Sequence, residues 1–264
     1  ETNVRMAARG RSAVVRVSSL VAMRAGTMIA SGDEARRLVG RAPREVSLMR
    51  PIECGRLAHP ELAGMWIDSL IRQFATGSRL RKASCVIACP SYLTPSDRAA
   101  LSAAVQAADA GAPGFISADL TAALGAGLDS LAPEGILLVS IGAGSISASL
   151  AAGGRVVVCE HAAYGMDRVD EEIAMILREK YALCVGPITA EEIKHQLASA
   201  IPGREICAEA AGVDAETGFP RARMVCAESV YPASARLIEA LIRIVRSVLQ
   251  RSPAELSADV QERG

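Results

Sequence analysis

The stretch Gly135 to Glu160, "GILLVSIGAGSISASLAAGGRVVVCE", is the part of the sequence that indicates the architecture most clearly, because it holds three short apolar segments separated by two glycine turns. Ile136 to Ile141 has the composition of a buried strand, and Ser145 to Ala151 alternates small polar and apolar residues. The Gly153-Gly154 pair then turns the chain into Arg155 to Glu160, which is rich in β-branched residues. The pattern predicts a three-stranded antiparallel meander rather than a membrane span.

Capping residues predict two helices outside this meander. The string Thr94-Pro95-Ser96-Asp97 is typical of a helix N-terminus, and the alanine-rich segment that follows is expected to end at Gly111. Thr189 with Glu192 forms a capping-box pattern ahead of Ile193, which predicts a second helix beginning there.

Apolar residues recur at helical spacing in two further segments. Leu237 to Leu249 carries them over four turns, which predicts a substantially buried helix. Glu61 to Phe74 has an amphipathic stripe that includes Trp66, and this favours a helix packed on a sheet over a membrane anchor.

The first half of the chain alternates predicted strands and helices. Ala83 to Pro90 precedes the Thr94 helix, and Gly114 to Asp119 precedes a helix expected from Thr121 to Gly127. Arg11 to Val17 and Leu20 to Met23 are also strand-like, which suggests a second meander at the start. Two halves that each combine a sheet with helices indicate an α/β architecture with a cleft between two lobes, residues 1–134 and 135–264.

The composition excludes several classes of protein. The 264 residues include 29 Lys+Arg, 29 Asp+Glu and 50% hydrophobic residues, which excludes a disordered chain. Zero formal net charge also argues against a nucleic-acid partner, because phosphate neutralisation requires a basic excess. The seven cysteines form no C-x-x-C pair, and we expect them to be structural residues of a protein in the reducing cytoplasm.

The turn Gly142-Ala143-Gly144-Ser145 could hold a phosphate, because glycines let backbone N–H groups approach an anion and the serine adds a hydroxyl. An ordinary tight turn between two core strands is the alternative reading. No Asp or Glu lies between Gly135 and Gly154, so the turn brings no metal ligand of its own. The three histidines, His59, His161 and His195, are too widely spaced to suggest a metal pair, and a G-x-S-x-G nucleophile motif is absent.

Several longer strings make the chain similar to the MreB family of bacterial actin homologues, the rod-shape-determining proteins. These strings are in order and are spread along almost the whole chain: "SGDEARRLVGRAP" and "LMRPIECGRLAHPE" within Ser31 to Glu61, "ALGAGLDS" (Ala123 to Ser130), "GMDRVDEEI" (Gly165 to Ile173), "TAEEIKHQLASAIPG" (Thr189 to Gly203) and "SPAELSADVQERG" (Ser252 to Gly264).

The resemblance implies an actin/Hsp70-type, ribonuclease H-like fold, whose two lobes close on ATP and magnesium. It also implies self-association into filaments in the cytoplasm, at the inner face of the membrane, with inner-membrane and cell-wall synthesis proteins as partners. By the same resemblance, the nucleotide contacts fall on Thr2 and Asn3 of the first phosphate loop, on Gly142, Ala143, Gly144 and Ser145 of the second, and on Glu191, Glu192, Ile193 and Lys194 beside the adenosine.

The chain departs from the family inside the implied cleft. Ser140 replaces an aspartate, Ala143 replaces a glycine, and Ser145 with Ile146 replaces threonines. Ser117, Ala118 and Asp119 stand where the family has the glutamate pair and proline that position the hydrolytic water, so Asp119 is the one candidate catalytic acid. By the same resemblance, we expect this sequence to begin inside the first phosphate loop and to stop before the loop that closes on the adenine.

These departures predict a degenerate nucleotide site with residual ATPase at most, because carboxylates that hold metal or orient water contribute orders of magnitude in rate. The leading hypothesis is a cytoskeletal protein that forms ATP-linked filaments. The alternative is a nucleotide-independent scaffold or chaperone-like adaptor with the same fold. A sugar or acetate kinase of the same superfamily would need a catalytic acid that the sequence does not show.

Overall fold

The structure, a computed structural model, describes residues 3–7, 14–74, 85–108 and 110–263. The described part of the first half folds, in chain order, into β1 (Asn3–Met6), β2 (Val15–Ser18), β3 (Val21–Arg24), β4 (Thr27–Ser31), α1 (Asp33–Arg36), β5 (Val46–Met49), β6 (Ile52–Glu53), β7 (Arg56–Leu57), α2 (Pro60–Phe74), β8 (Val86–Cys89), α3 (Pro95–Ala107), β9 (Gly114–Ser117) and α4 (Ala118–Gly125).

The second half continues with β10 (Ile136–Ile141), β11 (Ile146–Ala152), β12 (Arg155–Ala162), α5 (Met166–Tyr181), β13 (Leu183–Cys184), α6 (Pro187–Leu197), β14 (Cys207–Asp214), β15 (Pro220–Cys226), α7 (Ala227–Arg251) and α8 (Ala254–Arg263).

The expected opening meander is wrong in its pairing. Both predicted strands exist as β2 and β3, but β2 pairs with β1, whereas β3 is the centre of an antiparallel sheet in the order β4-β3-β5. The reason lies in the turns: Ala25 and Gly26 both have positive φ and fold β4 directly onto β3, a turn type that suits hairpins. Residues 11–13 lie outside the described residues.

The strand and helix alternation of the first half is confirmed, with shifted boundaries. Strands β8 and β9 pair in parallel, and α3 connects them. Thr94 caps α3 as predicted, accepting a hydrogen bond from the Asp97 N–H at 3.2 Å, but the helix ends at Ala107 rather than Gly111. Ser117 caps α4, so Asp119 lies in a helix and not in the strand that the sequence predicted.

The predicted meander of the second half is confirmed as the antiparallel sheet β10-β11-β12. Its central strand β11 is buried along nearly its whole length, and its small side chains allow close packing on both faces. One face places Ala148 and Leu150 against Val248 of α7 in an apolar cluster. The other face carries Ser147 and Ser149, which are also buried. Strand β11 thus places apolar side chains on one face of the sheet and two serines on the other.

Two further features of the second half differ from the sequence expectations. Helix α6 begins at Pro187 after Gly186, so the expected cap at Thr189 is wrong; proline is well suited to the first helical position. Cys207 and Cys226 stand directly opposite each other on β14 and β15 and form a disulfide. The sequence did not indicate this pair, because the strand register alone brings together two cysteines separated by 19 residues.

Candidate functional site

The glycine turn predicted as a phosphate loop connects β10 to β11. It is closed by a hydrogen bond from the Gly142 N–H to the Ser145 carbonyl, at 2.8 Å. Ile146, the next residue, is fully buried in the core of the second half. It therefore offers the loop neither a hydroxyl nor a charge, and the polar groups available are those of residues 142–145.

The loop rests on the N-terminus of α5. The N–H groups of Met166 and Asp167 donate to the carbonyls of Gly142 and Ala143, at 3.0 and 2.8 Å. The backbones approach so closely that a Cβ on Gly165 would lie 2.2 Å from the Ala143 oxygen. Only glycine fits at position 165, and the contact fixes the loop against the positive end of the helix dipole.

The N–H groups of Ala143, Gly144 and Ser145 make no hydrogen bond to any residue within the described ranges. The loop carbonyls already accept bonds from α5, and such a chain of hydrogen bonds strengthens the remaining donors. Backbone donors grouped at the start of a helix form a ready site for an anion.

Residues of the first half reach the loop from the other side. The Cys54 Sγ donates to the Gly144 carbonyl at 3.2 Å, and the Tyr92 hydroxyl lies 3.0 Å from the Ser145 Oγ. The Tyr92 ring stacks on the ring of His161 on β12, with centroids 4.1 Å apart. An ion pair between Arg50 and Asp167 joins the two halves next to these contacts.

Asp119, the candidate catalytic acid, lies in the first turn of α4 and is only 8% exposed. The Ser91 hydroxyl donates to its carboxylate and also lies 2.8 Å from the Ser117 hydroxyl. Burial, and then the negative charge of Asp119, raises the pKa of Cys159 on β12 to about 11. Helix α4 contacts β12 of the second half, and Ser91 occupies one of the two carboxylate oxygens of Asp119.

The side chains from Glu191 to Lys194 lie in different surroundings. Ile193 is 1% exposed and belongs to the core of the second half, so its side chain is not available to a ligand. Glu192 is exposed. Glu191 pairs with Arg36 of α1 at 3.1 Å, an ion pair that again joins the two halves.

Lys194 is held inside the protein. Its Nζ contacts the Asp170 carboxylate at 2.7 Å and the Met166 carbonyl at 3.4 Å, and its side chain is only 10% exposed. Burial raises the pKa of Asp170, although the hydrogen bond and charge of Lys194 act in the opposite direction. Lys194 thus ties α6 to α5 beside the loop.

The remaining predicted residues belong to the start of the chain. Thr2 lies outside the described residues. Asn3 is a half-buried residue of β1 and pairs with Ser18 on β2. Neither residue adds a described polar contact to the glycine loop.

The described residues offer no metal site built from protein ligands alone. They contain no group of three or more His, Cys, Asp or Glu side chains arranged to hold a metal. Asp167 and Asp119, the carboxylates considered above, are engaged by Arg50 and Ser91. A separate shallow depression between the end of α5 and β15 shares no residue with the loop.

Tyr92, Cys54, Gly165 and His161 were not predicted as site residues. The sequence signal for Gly165 was its place just before a helix in a string shared with the family. Cys54 also lies in a shared string, but neither it nor Tyr92 carried a signal for its contact with the loop, because those contacts join positions 90 and 53 residues apart.

Comparisons with known proteins bear on the family and the fold of the chain. No helix among the described residues is long and apolar enough to cross a membrane. The model of the MreB/Mbl protein family matches residues 1–264. The cell shape-determining protein Mbl of Bacillus cereus is 31% identical over 265 residues, which is 99% of this chain and 80% of that protein. The cell shape-determining protein MreB of Escherichia coli is 30% identical, over 97% of this chain and 76% of that protein.

The solved structures identify the fold. The crystal structure of MreB5 of Spiroplasma citri bound to ADP superposes with a TM-score of 0.92 and 25% identity, covering 100% of this chain and 80% of that chain. The two-lobed α/β fold of the actin type that the sequence predicted is therefore confirmed. On the family match, the curated relatives and this fold, the chain belongs to the MreB/Mbl family.

Proposed function

We propose that the chain is an actin-like cytoskeletal protein that acts in cell-shape determination and binds a nucleotide through the loop Gly142 to Ser145. The observation that carries this proposal is the group of backbone donors at Ala143, Gly144 and Ser145, placed at the start of α5. The named relatives are cell shape-determining proteins, and the similar structure of MreB5 is bound to ADP.

The chemistry of the loop favours binding over hydrolysis. Backbone N–H groups and a helix N-terminus stabilise phosphate oxygens without any charged side chain. Hydrolysis requires in addition a group that orients water, and the candidate acid Asp119 is engaged by Ser91. We therefore expect nucleotide binding with residual ATPase at most, and we assign no residue of this chain to magnesium.

The lobes of this proposal are residues 1–134 and 135–264. Every apolar core cluster of the described residues lies wholly on one side of this boundary. Contacts that cross it include ion pairs, a hydroxyl pair and the stacking of Tyr92 on His161. Two cores joined by polar contacts are what a ligand-dependent cleft requires.

Self-association into filaments is part of the proposal. The β14–β15 hairpin exposes Phe219 and Met224, at 72% and 60%. Large apolar side chains that face solvent favour a contact with another protein. Action at the inner face of the membrane, with wall-synthesis proteins as partners, extends the proposal on the strength of the family resemblance.

The test is binding of labelled ATP together with sedimentation, each with and without magnesium. Ala143→Asp places a carboxylate among the proposed donors, and we expect it to weaken ATP binding by about tenfold or more, because like charges repel at close range. Gly153→Asp adds the same charge to the turn at the other end of β11 and should bind like the wild type. Equal affinity of the two variants would refute the phosphate assignment, and pelleting that ignores nucleotide would favour the scaffold alternative.

A further inference from the structure

Tyr92 crosses the cleft and makes two kinds of contact with the second lobe. Its hydroxyl donates to the carbonyl of Cys54 at 3.2 Å and lies 3.0 Å from the Ser145 Oγ, so the Ser145 hydroxyl is left to donate to it. Its ring stacks on His161 with an angle of 8° between the planes. One side chain of the first lobe therefore occupies the only side-chain hydroxyl of the glycine loop.

Cys54 reinforces this arrangement. It has a φ of 49°, a left-handed conformation that is unusual for a residue with a Cβ. Its Sγ donates to the Gly144 carbonyl at 3.2 Å, and a Cβ on Gly144 would lie 3.2 Å from the same sulfur. The end of the loop is thus covered by the first lobe.

We propose that Tyr92 is an interlobe latch, which keeps the cleft closed over the loop without any ligand and which a phosphate-bearing ligand must displace. The first part stands on the contacts of Tyr92 alone. The second part rests on the function proposed above. Opening the latch would break polar contacts and one ring stack but expose no apolar core cluster of the described residues. The open state should therefore lie only a little above the closed state in free energy.

The latch can be tested through the accessibility of cysteines in the ligand-free protein. Cys54 touches the latch, whereas Cys159 lies on β12, under the electrostatic influence of Asp119 from the other lobe. Cys184, half-buried on β13 of the second lobe, serves as an internal control for folding. Peptide mass spectrometry measures the rate at which a maleimide labels each cysteine.

We expect Tyr92→Ala to raise the labelling rates of Cys54 and Cys159 together by about tenfold or more, since hydroxyl bonds and a ring stack each shift an equilibrium several-fold. Tyr92→Phe keeps the ring and should have a smaller effect. The matched control is Tyr181→Phe, because the Tyr181 hydroxyl also bonds a serine, Ser229, at 2.8 Å, but within one lobe.

Unchanged labelling in both Tyr92 variants would overturn the latch. Faster labelling of Cys54 alone would also overturn it, because that result indicates a local change without opening. The second part is tested by titrating inorganic pyrophosphate, which Tyr92→Ala should bind more tightly than the wild type. An opened cleft with unchanged pyrophosphate affinity would overturn the displacement step alone. Absence of pyrophosphate binding in both proteins would overturn the phosphate assignment instead, and the latch would stand in either case.

Discussion

Replacement of Gly165 by alanine tests whether the loop depends on its seat against α5. Gly165 is the N-cap of α5, with φ −130° and ψ −165°, a conformation that alanine also adopts. Backbone strain therefore does not contribute to the effect. The added methyl group would lie 2.2 Å from the Ala143 oxygen and 2.6 Å from the Ser145 nitrogen, both backbone atoms that a rotamer change cannot move.

The size of the effect follows from these contacts. The backbone must separate by about 1 Å to reach an ordinary van der Waals distance, and overpacking of this kind costs about 1–3 kcal/mol. The displacement also weakens the two hydrogen bonds from Met166 and Asp167 to the loop, each worth about 1 kcal/mol. We expect Gly165→Ala to lower the free energy of unfolding of the second lobe by about 2–4 kcal/mol.

Gly186→Ala is a matched control. Gly186 is also a helix N-cap without a side-chain hydrogen bond, but a Cβ there would meet no atom within 4 Å. The control should lose only the small N-cap difference between glycine and alanine, about 0.5–1 kcal/mol. Urea unfolding followed by far-UV circular dichroism compares the two variants. Equal losses of unfolding free energy would refute the close packing of the loop against α5.

Three further predictions concern other parts of the molecule. Burial, and then the charge of Arg56, lowers the pKa of His161 below 6.5, so below that pH the unfolded chain binds a proton that the folded protein does not. The free energy of unfolding should therefore fall as the pH drops below about 6.5, and His161→Gln should lose that dependence in acid titrations. Glu172→Gln should cost about 2 kcal/mol in denaturant unfolding, because the buried carboxylate accepts from a tyrosine hydroxyl at 2.7 Å and an arginine at 3.1 Å, and a loss below about 0.5 kcal/mol would contradict this. A double-mutant cycle on Arg36 and Glu191 should give a coupling below about 1 kcal/mol that shrinks with salt, because both side chains are substantially exposed; a larger, salt-independent coupling would show that this ion pair holds the lobes together.

Elements set by short-range chemistry were predictable. Thr94 and Asp97 lie three residues apart and cap α3 as their pattern indicates. The glycine turns of the meander also follow from local sequence, since paired glycines permit tight turns. The cap of α6 was misplaced because two capping patterns overlap, and Gly186 with Pro187 takes precedence over Thr189.

The candidate site was predictable only in part. The loop was found because its glycines stand together in the chain, but the residues that press on it were not. Lys194 was expected to face a nucleotide, and the structure instead buries it against Asp170, a contact that depends on how α5 and α6 pack. Asp119 stays a candidate acid, and its hydrogen bond with Ser91 was not predictable because the two residues follow different strands, β9 and β8.

The amino-acid sequence alone determined the central meander, several helices, the glycine loop and the family, since these depend on residues close together in the chain or on strings long enough to compare. The tertiary structure decided which groups the loop meets. Tyr92 reaches Ser145, and Gly165 meets Ala143, only because packing of the two lobes and of α5 brings separate segments within a few ångströms. Local propensity carries no information about such distances, because they are set by the sum of many long-range contacts.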